Sequence, residues 1–463
     1  MRRSDQMTAQ KYNPLKEKKA KSISRRDFIK AVSAGMVATG LGANIIIPGK
    51  VRAAEKTLKI LQWFHFVPAF NDWFKNTYVK EWGKKNDTEV IVNHVSIMEL
   101  LERPFAEVAA RKGHDLVMFV QPPPALEDHV INHREIYLEC EKRYGKALPL
   151  AIKSTYNSKT KKYFGFSDSY APDPINYRKD LWDGIGMFPD TWEDVRIGGA
   201  KIKKKYGIPV GIGLSEGDDD SGMAVRAILY SYGASVQDEK GNIVINSKQT
   251  LEAVKFVRAL FKEAMTPEVL NWDPTSNNNF MLDGKGSLAV NAISITRMAE
   301  KNNIEMSKKI WLAKSPEGPM GRIGLEHIMA IYVIWKFAEN IEGAKKFLID
   351  YIGNFRKVFL ASEFYNFPCF PETVPDLKKL IANDPSSDPP DKYKVLGDVQ
   401  EWATNLGHPG YANAAIDEIR GTSVIITMFE KAATGEATPE DAIKDAEARC
   451  RHIFAAWKER GLV

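Results

Sequence analysis

Three groups of residues in this chain of 463 have types and spacings that could do chemistry. The first is Gly213-Leu214-Ser215-Glu216-Gly217, a GxSxG pattern at the end of a predicted strand, 208–214. A nucleophile elbow needs a helix that starts directly after the serine, because the strained turn presents the hydroxyl. Here Gly217 and the run Asp218-Asp219-Asp220 intervene, and the crowd of acids would oppose a developing oxyanion. The second group is His129 and His133, four residues apart with Asp128 and Glu135 close by. Two histidines at that spacing on one helical face can bind zinc, but the sequence indicates no third ligand. The acids 218–220 lack the spaced loop of a calcium site, and no phosphate-cradling Walker loop is present, so no cofactor is expected. The third group is scattered, and it mixes aromatic with polar residues: Trp63, His65, Gln121, Tyr170, Glu216, Asp219, Asn291, Ser294, Glu326 and His327. Aromatic faces pack on the apolar C–H side of a small ligand, and such polar side chains take up its polar groups.

Elements must bring that third group together. Leu58 to Trp63 predicts a strand that ends before Pro68. An amphipathic helix with Trp73, Phe74, Tyr78 and Trp82 at helical spacing follows, then a strand at 90–92 and a helix from Met98 to Arg111. Asp115 to Val120 is a buried, parallel-type strand that stops at Gln121 and three prolines. Strand-helix-strand-helix-strand means an α/β domain with a parallel sheet, whose ligands bind at the carboxyl ends of the strands. Those ends are Trp63–Phe66 and Gln121–Pro124. The stretch from Tyr163 to Val195 then crosses to a second α/β set. Pro172-Asp173-Pro174 forces an extended path, and Asp190 or Thr191 can cap a helix whose first turn carries Glu193 and Asp194. Helices are expected over 223–232, 251–264 and 341–352, with strands over 309–313 and 328–335.

The whole-chain charge of +6 belongs to the first 53 residues, which hold 12 Lys/Arg and 3 Asp/Glu; the remainder has 53 basic and 56 acidic residues, so nucleic acid is not an expected partner. Ser24-Arg25-Arg26-Asp27-Phe28-Ile29-Lys30 matches the twin-arginine export pattern. A diluted apolar run to Ile47 follows, too short to span a bilayer, and Val51-Arg52-Ala53 offers a cleavage site. Residues 1–53 therefore read as a signal peptide and the destination as the periplasm. Cys140, Cys369 and Cys450 make no disulfide framework.

The segment Ile175-Asn176-Tyr177-Arg178-Lys179-Asp180-Leu181 followed by Pro189-Asp190-Thr191-Trp192-Glu193-Asp194 resembles the periplasmic solute-binding proteins of sugar-type ABC importers, the maltose-binding-protein-like family. The turn and strand Gly284 to Asn291 and the closing element 432–442 are similar to that family as well, so the likeness runs over residues 56–460. It implies an α/β fold of the periplasmic-binding-protein type II, with two lobes joined by three crossings: 54–166 with 291–337, and 167–290 with 338–463. It further implies a monomeric, non-enzymatic receptor that closes on a small solute by hinge bending and delivers it to ABC permease subunits in the inner membrane. The family places aromatic contacts in late loops, here Phe364, Tyr365, Phe367 and Tyr411. Its tryptophan after the return strand is replaced by Ala292-Ile293-Ser294, so a small polyol or monosaccharide fits as well as an oligosaccharide. A metal-binding periplasmic protein and a serine hydrolase are the rival readings.

Overall fold

The computed structural model describes residues 56–463, so the leader and its cleavage site lie outside the described residues. Two sheets and two large apolar clusters organise what is described. In the larger sheet, β1 (Lys56–Trp63) runs parallel to β2 (Thr88–Val95) and β3 (Leu116–Phe119). These strands are rich in Leu, Ile and Val, and β3 is buried throughout, which suits a parallel sheet covered on both faces. The helix α1 (Ile97–Ala110) links β2 to β3 and starts at a capping box made by Ser96 and Glu99. The chain then passes through α2 (Arg134–Tyr144) to β4 (Phe166–Pro172).

Asp173 and Pro174 carry the chain from β4 to β5 (Ile175–Arg178), the middle strand of a second, three-stranded sheet. Around it pack α3 (Trp192–Tyr206), α4 (Asp219–Ser231), α5 (Lys248–Ala264) and α6 (Ser276–Leu282). Of the two expected caps for α3, Thr191 is the one used: it closes a capping box with Asp194. β5 pairs antiparallel with β6 (Leu288–Val290) on one side and β7 (Ile310–Ala313) on the other. After β6, α7 (Ser294–Asn302) begins.

The long strand β8 (Gly324–Ile334) returns to the larger sheet, antiparallel between β3 and β4. Its pairing with β4 slips between Glu326 and Ile328, so His327 is the extra residue of a bulge. Then α8 (Ile341–Ile352) and the short strand β9 (Phe367–Pro368) pack with the first core, and β10 (Ala403–Thr404) pairs with the start of β8. The chain finishes in the second core with α9 (Val424–Thr434) and α10 (Pro439–Glu459), the latter capped by Thr438 with Pro439 at its first position.

Three expectations change. The strand expected at 208–214 is reduced to isolated bridges from Val210 to Met265 and from Gly211 to Ala289, because no strand lies beside it over its length. The strand at 310–313, assigned by sequence to the first lobe, pairs with β5 in the second sheet. The stretch from α8 to Trp402, assigned to the second lobe, buries Phe347, Tyr351, Phe359 and Trp402 in the first core.

Candidate functional site

The carboxyl end of β1 carries aromatic residues past the sheet edge. Trp63 is buried, with its ring 4.8 Å from the His65 ring and 5.1 Å from the edge-on Phe66 ring. His65 is fixed on every side. Its Nδ1 accepts from the Val67 amide (2.9 Å), so its proton sits on Nε2, which donates to Asn366 Oδ1 (3.0 Å). Burial pushes this imidazole down to about 4, keeping it neutral. The Tyr365 ring stands 5.2 Å from His65 and 6.3 Å from Phe66, and Phe66 itself is 51% exposed. The result is an aromatic wall with one open face.

A polar cluster is built from parts of the chain distant in sequence. The bulge in β8 turns His327 out of the strand's alternation. Its Nδ1 lies 3.4 Å from Asp173 Oδ1, in the link between β4 and β5, and its Nε2 lies 3.6 Å from Asp220 Oδ1, in the first turn of α4. Burial alone would discharge this imidazole, but Asp220 and then Asp173 outweigh it and hold the group up at about 9, so it is an imidazolium at neutral pH. Burial also holds the Asp220 carboxyl above its usual range, against the pull of His327. Asp218 caps α4, accepting from the Asp220 and Ser221 amides, and burial pushes it up to about 7. Around Asp220 stand three asparagines. Asn277 donates to it at 2.7 Å and Asn291 at 3.4 Å, while Asn291 also donates to Asn278 Oδ1 at 2.8 Å. Ser294 accepts from Asn278 and donates to Asn291 Oδ1. Gln121, at the end of β3, donates to the His327 carbonyl at 3.0 Å.

Three buried polar atoms here have no hydrogen-bond partner, Trp63 Nε1, Gln121 Oε1 and the Tyr365 hydroxyl, while His327 Nδ1 and Asp173 Oδ1 have only each other. Burial first, and then the charges of Asp220 and Asp173, hold the Tyr365 phenol well above the usual tyrosine range.

Of the residues singled out by sequence, Trp63 and His65 lie in the aromatic wall, and Gln121, Asn291, Ser294 and His327 lie in the polar cluster. The others have different work. Glu216 accepts from Thr427 (2.5 Å) and Asp219 pairs with Arg420 (2.8 Å), so both fasten α4 and its approach to the C-terminal helices from the exposed side. Glu326, fully buried, points to the opposite side of β8 from the bulge and accepts from the Leu406 amide (2.8 Å); burial pushes it up to about 8. Tyr170 lies inside β4 with its ring 6.0 Å from Phe367. Phe364, at a left-handed φ of +68°, stacks on Phe359 at 4.9 Å and under the Arg297 guanidinium. The contacts of Tyr411 are the Tyr156 ring at 5.6 Å and Gln237, which holds its carbonyl. The sequence reading passed over Asp173, Asp220, Asn277, Asn278 and Phe66 as contacts. Asp173 reads as a strand breaker between two prolines, and the asparagines read as helix caps.

The rival chemistries lose their geometry. His133 donates from Nδ1 to the Tyr163 carbonyl and accepts the Ile334 amide at Nε2, both at 3.0 Å, so neither nitrogen is left for zinc. Among the described residues, no group of three or more His, Cys, Asp or Glu side chains is placed to hold a metal ion. Ser215 sits in a turn closed by the Asp218 amide, and the helix starts only at Asp219, so the serine is not presented on an elbow. The three cysteines are buried and free.

Comparison with known proteins points one way. The family model for bacterial extracellular solute-binding proteins matches residues 143–355. A binding protein of Brucella abortus (strain 2308) is 22% identical over 296 residues, which is 63% of this chain and 68% of that one. Maltose-bound MalE3 of T. maritima superposes with a TM-score of 0.68 at 20% identity, over 86% of this chain and 99% of that one. A solute-binding protein from Thermotoga lettingae TMO bound with α-D-tagatose gives 0.69 at 20% identity, over 86% and 100% of the two chains. The sugar transporter from Arthrobacter chlorophenolicus A6 with bound laminaribiose gives 0.70 at 16%, over 86% and 99%. At these identities the structures establish a shared fold, the mixed α/β architecture of type II periplasmic binding proteins.

Proposed function

We propose that this chain, whose family match and fold are those of the bacterial extracellular solute-binding proteins, is the receptor of an ABC importer and takes a sugar, polyol or related carbohydrate between its two cores. The observation that carries this reading is that the chain builds both an aromatic wall with an open face (Trp63, Phe66, Tyr365) and an amide and hydroxyl cluster (Asn277, Asn278, Asn291, Ser294). One half offers flat apolar faces for ring C–H groups, and the other offers donors and acceptors for hydroxyls. The wall grows from the first core and the amides from the second. A solute touching both would favour the arrangement in which they approach, and would shift the population toward it. The crossings at Asp173–Pro174, after β7 and near 402–406 are the natural hinges, and the closed form is what a membrane permease would receive. The twin-arginine leader fits export to the periplasm, and no helix among the described residues is long and apolar enough to cross a membrane.

A thermal-shift screen with sugars, polyols, amino acids and metal ions, run beside an ester-hydrolysis assay, tests the reading. A ligand at one hundred times its Kd adds about 2.7 kcal/mol, a shift that is easy to see. Stabilisation by a sugar or polyol without ester turnover is expected; stabilisation by a metal ion alone, or ester turnover lost in Ser215→Ala, overturns it.

A further inference from the structure

We propose that the solute carries a positive charge: an amine borne on a sugar or polyol frame, held in the cleft against Asp173 and Asp220. This rests on the carbohydrate reading above and narrows it.

The charge balance is the first argument. Two carboxylates, Asp173 and Asp220, face a single imidazolium, His327, and among the described residues no Lys or Arg pairs with either. Of the guanidiniums at α4, Arg420 is taken by Asp219 and Asp417, and Arg226 donates to the Gly222 carbonyl. Buried carboxylates without a matching cation carry a desolvation penalty that an incoming cation removes. The second argument is the set of unfilled acceptors. Gln121 Oε1 and the Tyr365 hydroxyl are each on a side chain more than nine-tenths buried and have no hydrogen-bond partner, and Asp173 Oδ1 has only the His327 imidazole, at 3.4 Å. Gln121 reaches His327 through its bond to the His327 carbonyl, and Asp173 reaches it through the imidazole. An ammonium group has three N–H donors, where a hydroxyl has one, so a primary amine fills such a set and a neutral hydroxyl leaves part of it empty.

The test uses matched sets that keep the sugar or polyol frame and change one substituent: glucose, glucosamine and N-acetylglucosamine; galactose, galactosamine and N-acetylgalactosamine; sorbitol and glucamine. Binding to the full chain is measured by titration calorimetry. The amine members are expected to bind at least about tenfold tighter than their neutral and N-acetyl partners, a difference of about 1.4 kcal/mol. Asp173→Asn should remove that preference, so that the ratio of amine to neutral affinity falls to about one. His327→Gln, which removes the competing cation, should strengthen amine binding. Should either variant fail to fold, salt gives a second readout on the unaltered protein: raising ionic strength should weaken the amine members and leave the neutral ones unaffected. Neutral members that bind as tightly as their amines overturn this inference and leave the carbohydrate reading standing. If no member of any set binds, the carbohydrate reading falls and this inference falls with it.

Discussion

The imidazole of His327 should make the stability of this protein depend on pH in a way that one substitution removes. Its side chain is 8% exposed, and its immediate charged neighbours are Asp173 from the β4–β5 link and Asp220 and Asp218 from α4, with the Tyr365 phenol beside them. The group sits at about 9 in the folded protein against about 6.5 in an unfolded chain. At 1.36 kcal/mol for each tenfold step, that displacement corresponds to about 3 kcal/mol. The folded value is the raised one. The contribution is therefore complete below about pH 6.5 and is lost as pH rises through about 9. Asp220 is held above its usual range by burial as well, so it too loses stability as pH rises, but from the carboxylate range, below the window of the imidazole. The imidazolium titrates at the upper end, and after its own desolvation its net contribution is nearer about 1–2 kcal/mol than 3. Asp168, Asp218 and Glu326 are also held up, at about 7, 7 and 8, and they too lose stability as pH rises from the carboxylate range. A single pH profile therefore mixes several groups, but the difference between two proteins does not. Urea unfolding of the unaltered chain and of His327→Gln at pH 6, 7.5 and 9.5 should show the gap between them shrinking by about 1–2 kcal/mol over that range. Parallel curves would refute the charged bridge.

Three further outcomes follow from the same contacts. Phe66→Ala removes an exposed ring from the aromatic wall, so it should weaken solute binding roughly tenfold while leaving the melting temperature within about 1 °C, as calorimetry and a thermal melt would show. Glu216→Ala and Asp219→Ala should leave solute affinity unchanged, because their partners are Thr427 and Arg420; a loss of affinity above threefold in either would return them to the site. Lys392→Ala should destabilise by about 3–5 kcal/mol in urea unfolding, since the fully buried ammonium is held by the Ser307 carbonyl (2.8 Å) and Glu300, and Glu300 would be left with Arg297 alone among nearby cations.

What could be read from the sequence and what could not divides along one line, between local and non-local causes. The end of β1, the caps at Thr191 and Thr438 and the buried strand β3 follow from periodicity, prolines and capping side chains within a few residues, and the structure shows them where those signals lie. Trp63, His65 and Gln121 were legible for that reason: a strand that stops at Pro68, or at the prolines after Gln121, must leave its last side chains at the sheet edge. The position of β7 was not legible, because an apolar strand suits either sheet and only its pairing with β5 decides. Nor was the return of α8 and β9 to the first core, which depends on partners more than two hundred residues away, such as Asp115 at the Asn340 amide. The centre of the site is the sharpest case. His327 was a candidate only because it lies beside a glycine-rich turn, while its neighbour Glu326 looked equally suited. The one-residue slip of β8 against β4 separates them, sending Glu326 to the Leu406 amide and His327 toward Asp173 and Asp220. A bulge is a property of two strands together, so no pattern within β8 alone could have assigned those two faces.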